Sequence, residues 1–149
     1  MAKFIFGLQS VLDIKEKFEV QRKMEYAAAQ QKLIEEERKL LELRNKKKYY
    51  EMQMRESMTS GLDVQKIREC NSGIEIMKSA IKLQLIEVNK AQKEVDEAQL
   101  KLNEAVKETK TYEKLRENAF EEFVQELNAQ ESKEIDELVS YNYQLVSEE

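Results

Sequence analysis

Few side chains in this sequence could do covalent chemistry, and their spacing argues against it. The 30 Asp and Glu residues are the largest reactive class. They recur at helix-surface intervals with Lys and Arg between them, so paired-carboxylate catalysis has no pocket to sit in. There is no His, no glycine-rich phosphate loop and no second Cys beside Cys70. Metal binding therefore lacks the usual nitrogen and sulfur ligands. We expect no enzyme, no metal and no cofactor. The strongest basic run is Lys46, Lys47 and Lys48, followed by Tyr49 and Tyr50. Such a run reads as a solvated helix face. The net charge of −5 works against a nucleic-acid partner.

What must position these residues is helix. Charged residues make up 37% of the chain, and Pro and Trp are absent, so nothing obliges a helix to break. One row dominates: Ile67, Ile74, Ile81, Val88, Val95 and Leu102, seven residues apart each time. Three residues after each member comes Cys70, Met77, Gln84, Ala91, Ala98 and Ala105. This a/d seam demands a helix that faces another helix. Beyond it the seam continues through Ala105, Thr109 and Tyr112, then slips at Arg116. Leu115, Ala119, Phe123, Leu127, Ile135 and Leu138 follow as a less regular stripe.

The first half carries a weaker seam. Val11, Leu12, Ile14 and Phe18 open it, it shifts by one residue after Phe18, and it resumes at Tyr26, Leu33 and Leu40. Lys47 interrupts it before Tyr50 and Met54. The one good break gathers Ser57, Met58, Thr59, Ser60, Gly61, Leu62 and Asp63, with Gly61 to end one helix. Either a Ser60–Asp63 capping box or Asp63 alone starts the next. Asn71-Ser72-Gly73 is a rival turn signal. Because Ile67 and Ile74 keep phase across it, Gly73 belongs inside the helix, at a cost of about 1 kcal/mol relative to Ala. A glycine there marks a bend or a place where a partner comes close.

The expected fold is all-α, a long antiparallel two-helix coiled coil (an α-hairpin), forming one domain over residues 1–149. Helix one covers about 8–57, the turn about 58–63 and helix two about 63–140, with a frayed tail. The arms would be roughly 75 Å and 115 Å long. Leu8 would meet a residue near 114, leaving about 25 residues of helix two projecting, with Phe120, Phe123, Leu127 and Ile135 exposed on them. Such a segment implies a partner, or a second copy that covers it. Cys70 on a d position acts as a small buried group, and a lone Cys suits a reducing, cytoplasmic setting. The opening segment is too short for a signal peptide, and no apolar run approaches membrane-span length.

Several stretches resemble the FliJ family of the bacterial flagellar export apparatus. They are Phe4-x-Phe6-x-Leu8-x-x-Val11-Leu12, the break at Gly61, Thr111-Tyr112-Glu113-Lys114-Leu115-Arg116-Glu117, and Glu131-x-x-Glu134-x-Asp136-Glu137-Leu138. Their order and spacing span nearly the whole chain. The resemblance implies an antiparallel coiled coil similar to the central γ stalk of rotary ATP synthases. It also implies a stalk-like component that couples the flagellar type III export ATPase to export driven by the proton gradient. The end bearing the termini would enter the hexameric ATPase ring, with Leu115, Phe120, Phe123, Leu127 and Ile135 as contacts. The turn end would contact the cytoplasmic region of the export gate protein FlhA through Leu43, Lys46, Tyr50, Gly73, Met77, Ala80 and Gln84. The family often has an aromatic at the position of Lys46 and a large apolar residue at that of Gly73, and this sequence departs at both. Export-chaperone handling is implied too, as is a cytoplasmic position at the inner face of the membrane, held there only through partners. A generic chaperone or adaptor of the prefoldin kind and a structural dimerising rod are the alternative roles. A flagellum and an injection apparatus are equally compatible with the sequence.

Overall fold

The computed structural model describes residues 2–61 and 63–148, and the side chains through 147. Leu62 of the expected turn, Met1 of the opening segment and Glu149 of the expected frayed tail lie outside the described residues. Two helices account for the fold: α1, Gln9–Thr59, and α2, Val64–Glu148. They pack against each other as an α-hairpin, and no strand occurs among the described residues. The chain divides into two compact units, residues 21–103 and residues 1–20 with 104–149.

The turn is set by local chemistry. Ser60 N–H donates to the Glu56 carbonyl at 3.0 Å, closing α1. Gly61 follows with φ of 138°, a conformation that a side chain would strain. Asp63 is the cap of α2: its Oδ1 accepts from the Lys66 N–H at 3.3 Å. Ser60 does not cap α2, because its hydroxyl points back to the Glu56 carbonyl at 2.6 Å. The helix runs unbroken through Asn71-Ser72-Gly73 and on to Glu148, where sequence reading ended it near 140. No Pro or Gly stands in the tail to stop it.

In the unit of residues 21–103 the α2 row is inward throughout. Cys70, Ile74, Ala91 and Val95 are buried, and Ile67, Met77, Ile81, Gln84, Val88, Ala98 and Leu102 are half-buried. Opposite them on α1, Arg22, Tyr26, Ala29, Leu33, Glu36, Leu40, Leu43, Lys47, Tyr50, Met54 and Ser57 all face inward, spaced alternately three and four. Lys47 therefore does not interrupt the seam. It occupies a seam position, with its Nζ 3.7 Å from Glu51. The buried Ser57 hydroxyl, next to the turn, has no hydrogen-bond partner among the described residues. A buried hydroxyl left unpaired weakens the seam locally.

Gln84 and Glu36 form a polar seam pair. Gln84 Nε2 donates to the Glu36 carboxylate at 2.5 Å and to its main-chain carbonyl at 2.9 Å. One polar pair in an apolar seam fixes register. The hydrogen bond from Gln84 is also the main reason the Glu36 carboxyl lies below its ordinary range. Lys39 and Lys32 add to that effect, and partial burial opposes it. Glu35 and Glu25 are lowered in the same direction, chiefly by hydrogen bonds from Arg38 and Arg22. A lowered carboxylate adds stability above its unfolded pKa and loses it as pH falls through the folded one. Melting temperature should therefore fall as the pH is taken down through the carboxylate range. In Gln84→Ala the slope should be shallower, which thermal melts at a series of pH values will show.

In the other unit, α1 turns Leu12, Lys15 and Glu19 inward, and Phe18 lies outside at 48% exposure. The seam does not shift after Phe18. Polar residues occupy it instead. Lys15 lays its stem inward and pairs with Glu108 at 2.9 Å. Thr109, buried, donates to the carbonyls of Lys15 at 3.3 Å and Ala105 at 3.0 Å.

Candidate partner-binding surfaces

Two surfaces remain once the seam is removed, one in each unit. The first flanks the turn end of residues 21–103. Tyr50 crosses the seam and lays its ring on Gly73: a Cβ at Gly73 would stand 2.9 Å from the Tyr50 Cε1. The close approach expected at Gly73 is thus made by the chain's own tyrosine. Tyr49 adds an edge-on ring 5.9 Å from that of Tyr50. Beside them an open groove of about 830 Å³ is lined by Tyr50, Val64, Arg68, Ser72, Gly73 and Ile76.

The residues expected to touch the export gate fall into two groups. Lys46 is exposed; Leu43, Tyr50, Gly73, Met77, Ala80 and Gln84 are half-buried. Leu43, Tyr50, Met77 and Gln84 are seam residues, and the Gln84 amide is already engaged with Glu36. The more available apolar groups are Ile76, Leu83, Tyr49 and Val64, each more than half exposed. Sequence reading passed over them. Ile76 and Leu83 follow seam positions by two residues, and a large apolar side chain off the seam is the signal that marks them.

Gly73 offers a direct test. Alanine there gains about 1 kcal/mol of helix propensity, but its Cβ displaces the Tyr50 ring. Gly73→Ala should give the full gain only when combined with Tyr50→Ala. In the parent background the gain should be smaller or reversed, as urea unfolding of the four proteins of the cycle will measure.

The second surface is the far part of α2, in the unit of residues 1–20 and 104–149. Phe4 reaches past the start of α1 and packs on Phe120 (5.3 Å between centroids) and Phe123 (5.6 Å), with the Arg116 guanidinium 5.9 Å from its ring. Arg116 Nε also donates to Gln9 Oε1 at 3.0 Å. Pairing therefore extends beyond the residue near 114 expected to end it. Ala119, Phe123, Val124 and Leu127 are half-buried, whereas Leu115, Phe120 and Ile135 are exposed. From Asn128 through Ser147 every residue is exposed, including Ile135, Leu138, Val139, Leu145 and Val146. The unpartnered stretch is thus shorter than the 25 or so residues expected, and it starts later.

The two units differ in charge. Residues 21–103 carry 17 Lys and Arg against 14 Asp and Glu, and the other unit carries 8 against 16. No cluster able to hold a metal ion and no helix long and apolar enough to cross a membrane occurs among the described residues.

The sequence model of the flagellar FliJ protein matches residues 4–147. The chain belongs to the FliJ family. FliJ-family membership makes it a component of the flagellar type III export apparatus, structural in kind. A solved structure described as a candidate YscO homolog from Chlamydia trachomatis is similar at 25% identity over 99% of each chain, with a TM-score of 0.49. No curated protein matches the chain.

Proposed function

We propose that this FliJ-family protein is the stalk-like coupling component of the export ATPase complex. The free end of α2 enters the hexameric ATPase ring, and the surface beside the turn contacts the cytoplasmic region of the export gate protein FlhA. The observation that carries this reading is the unpartnered stretch from Asn128 to Ser147, helical to its end and lined by Ile135, Leu138, Val139, Leu145 and Val146. An apolar stripe kept in water on a continuous helix is stabilised when a partner covers it. The Phe4 contact with Phe120 and Phe123 supports the role by anchoring the base of that helix. Leu127 and Phe123 then belong to the anchor, and Ile135 to the contact. At the turn end, Ile76, Leu83 and Tyr49 join Lys46 as the groups offered to the gate. The protein works at the inner face of the membrane, held there by these partners.

Binding of the purified full chain to the assembled export ATPase, with the ATPase rate followed in parallel, tests the proposal. Ring binding with stimulation supports it. Neither binding nor stimulation would sink it.

A further inference from the structure

Several cations of residues 21–103 have a carboxylate partner. Lys32 pairs with Glu94, Arg38 with Glu35 and Glu42, Lys39 with Glu36, Lys47 with Glu51, and Lys78 with Glu75. Arg44, Lys48 and Lys82 are among those with none within ion-pair reach among the described residues. Arg44 and Lys48 stand one turn apart on the same face of α1, where like charges repel. With Lys47, Glu51 and Ile81 they line an open groove of about 270 Å³. Leu41, Arg44 and Lys48 each follow an inward residue of α1 by one position, and Lys82 and Leu85 do the same on α2, which sets all five on the flank of the seam where Ile81 lines the groove. Leu41 and Leu85 are both exposed. The face is therefore an apolar floor of Leu41, Ile81 and Leu85 bordered by three unpaired cations. Its complement is an acidic amphipathic helix.

The chain itself carries such a helix. Between Asn128 and Ser147, Ile135, Leu138, Val139, Leu145 and Val146 repeat at helical spacing. Glu131, Glu134, Asp136 and Glu137 surround the first of them, and Lys133 is the one cation. We propose that this end of α2 from a second copy docks into the Arg44–Lys48–Lys82 groove. Ile135 and Leu138 cover Leu41, Ile81 and Leu85, while Glu134 and Glu137 meet the three cations. The contact joins unlike surfaces, so a pair of copies keeps one groove and one end free for further copies. A helix of about five turns in an open groove is a small interface, which places association in the weak, reversible class. The inference does not rest on ring entry. The two contacts use the same end and exclude each other, and either can fail without the other.

Sedimentation velocity of the full chain over a concentration series tests it. At low salt, species larger than the monomer should grow with concentration, and at about 0.5 M salt they should dissociate. R44E/K48E and E134K/E137K should each need at least tenfold more protein to associate. An equal mixture of the two should regain association, because each variant's altered surface then finds an opposite charge. A monomer at every concentration and salt would overturn the proposal. So would association that R44E/K48E leaves unchanged, or a mixture no better than its components.

Discussion

Replacing both Ile135 and Leu138 by Asp should weaken binding to the export ATPase ring at least a hundredfold and abolish stimulation of its ATPase, while the hairpin keeps its stability. Both residues are about 60% exposed in the free chain and lie in the stretch from Asn128 to Ser147 in which every residue is exposed. Surface substitutions away from packed features change stability by less than about 0.5 kcal/mol. In the ring they would be covered. Losing the burial of two large apolar side chains at about 1.5 kcal/mol each exceeds a hundredfold in affinity, before the cost of burying two charges. Phe120→Ala offers an instructive contrast. Its ring packs on Phe4, so its loss should loosen the base of the free helix and lower stability, with a smaller direct effect on the ring contact. Titrating the variants against the assembled ATPase, with thermal melts alongside, separates the two roles.

Ile74→Ala should cost about 2–3 kcal/mol, and Ile76→Ala almost nothing. The residues are two apart on one helix with the same side chain. Ile74 is 8% exposed and Ile76 is 62% exposed. Truncating a buried Ile to Ala costs roughly 2–5 kcal/mol. A single layer of seam between two helices can relax around the gap more easily than a deep core, which favours the lower end. At 2–4 °C per kcal/mol for a chain of this size, the expected fall in melting temperature is roughly 5–10 °C. The same comparison bears on function. Ile76→Ala, though silent in stability, should weaken gate binding if the groove beside Gly73 is the contact.

The hairpin was legible because its strongest signal is a count. Seven-residue spacing from Ile67 to Leu102 survives a turn-like Asn71-Ser72-Gly73, and α2 runs straight through it. The inward row of α1 was harder to read because it includes Lys15, Glu19, Arg22, Glu36 and Lys47. A hydrophobic pattern treats such residues as solvated, whereas a Lys stem can pack inward with its head on a neighbouring carboxylate. Following apolar residues alone therefore placed Phe18 in the seam, where it does not belong. The extent of the free end depended on Phe4, whose reach to Phe120 and Phe123 no spacing rule gives. At the turn end, Gly73 stood out in the sequence, but its neighbour Tyr50 lies on the other helix, and only the folded register brings them together. Gln84 stands among the expected gate contacts through the family resemblance alone, and nothing local reveals that its amide is engaged by Glu36.

Site-specific photo-crosslinking in the assembled export apparatus tests the coupling role most directly. A crosslinker at Leu138 should capture the export ATPase, and one at Ile76 should capture the export gate and not the ATPase. Capture of the ATPase from Ile76, with none from Leu138, would contradict the account.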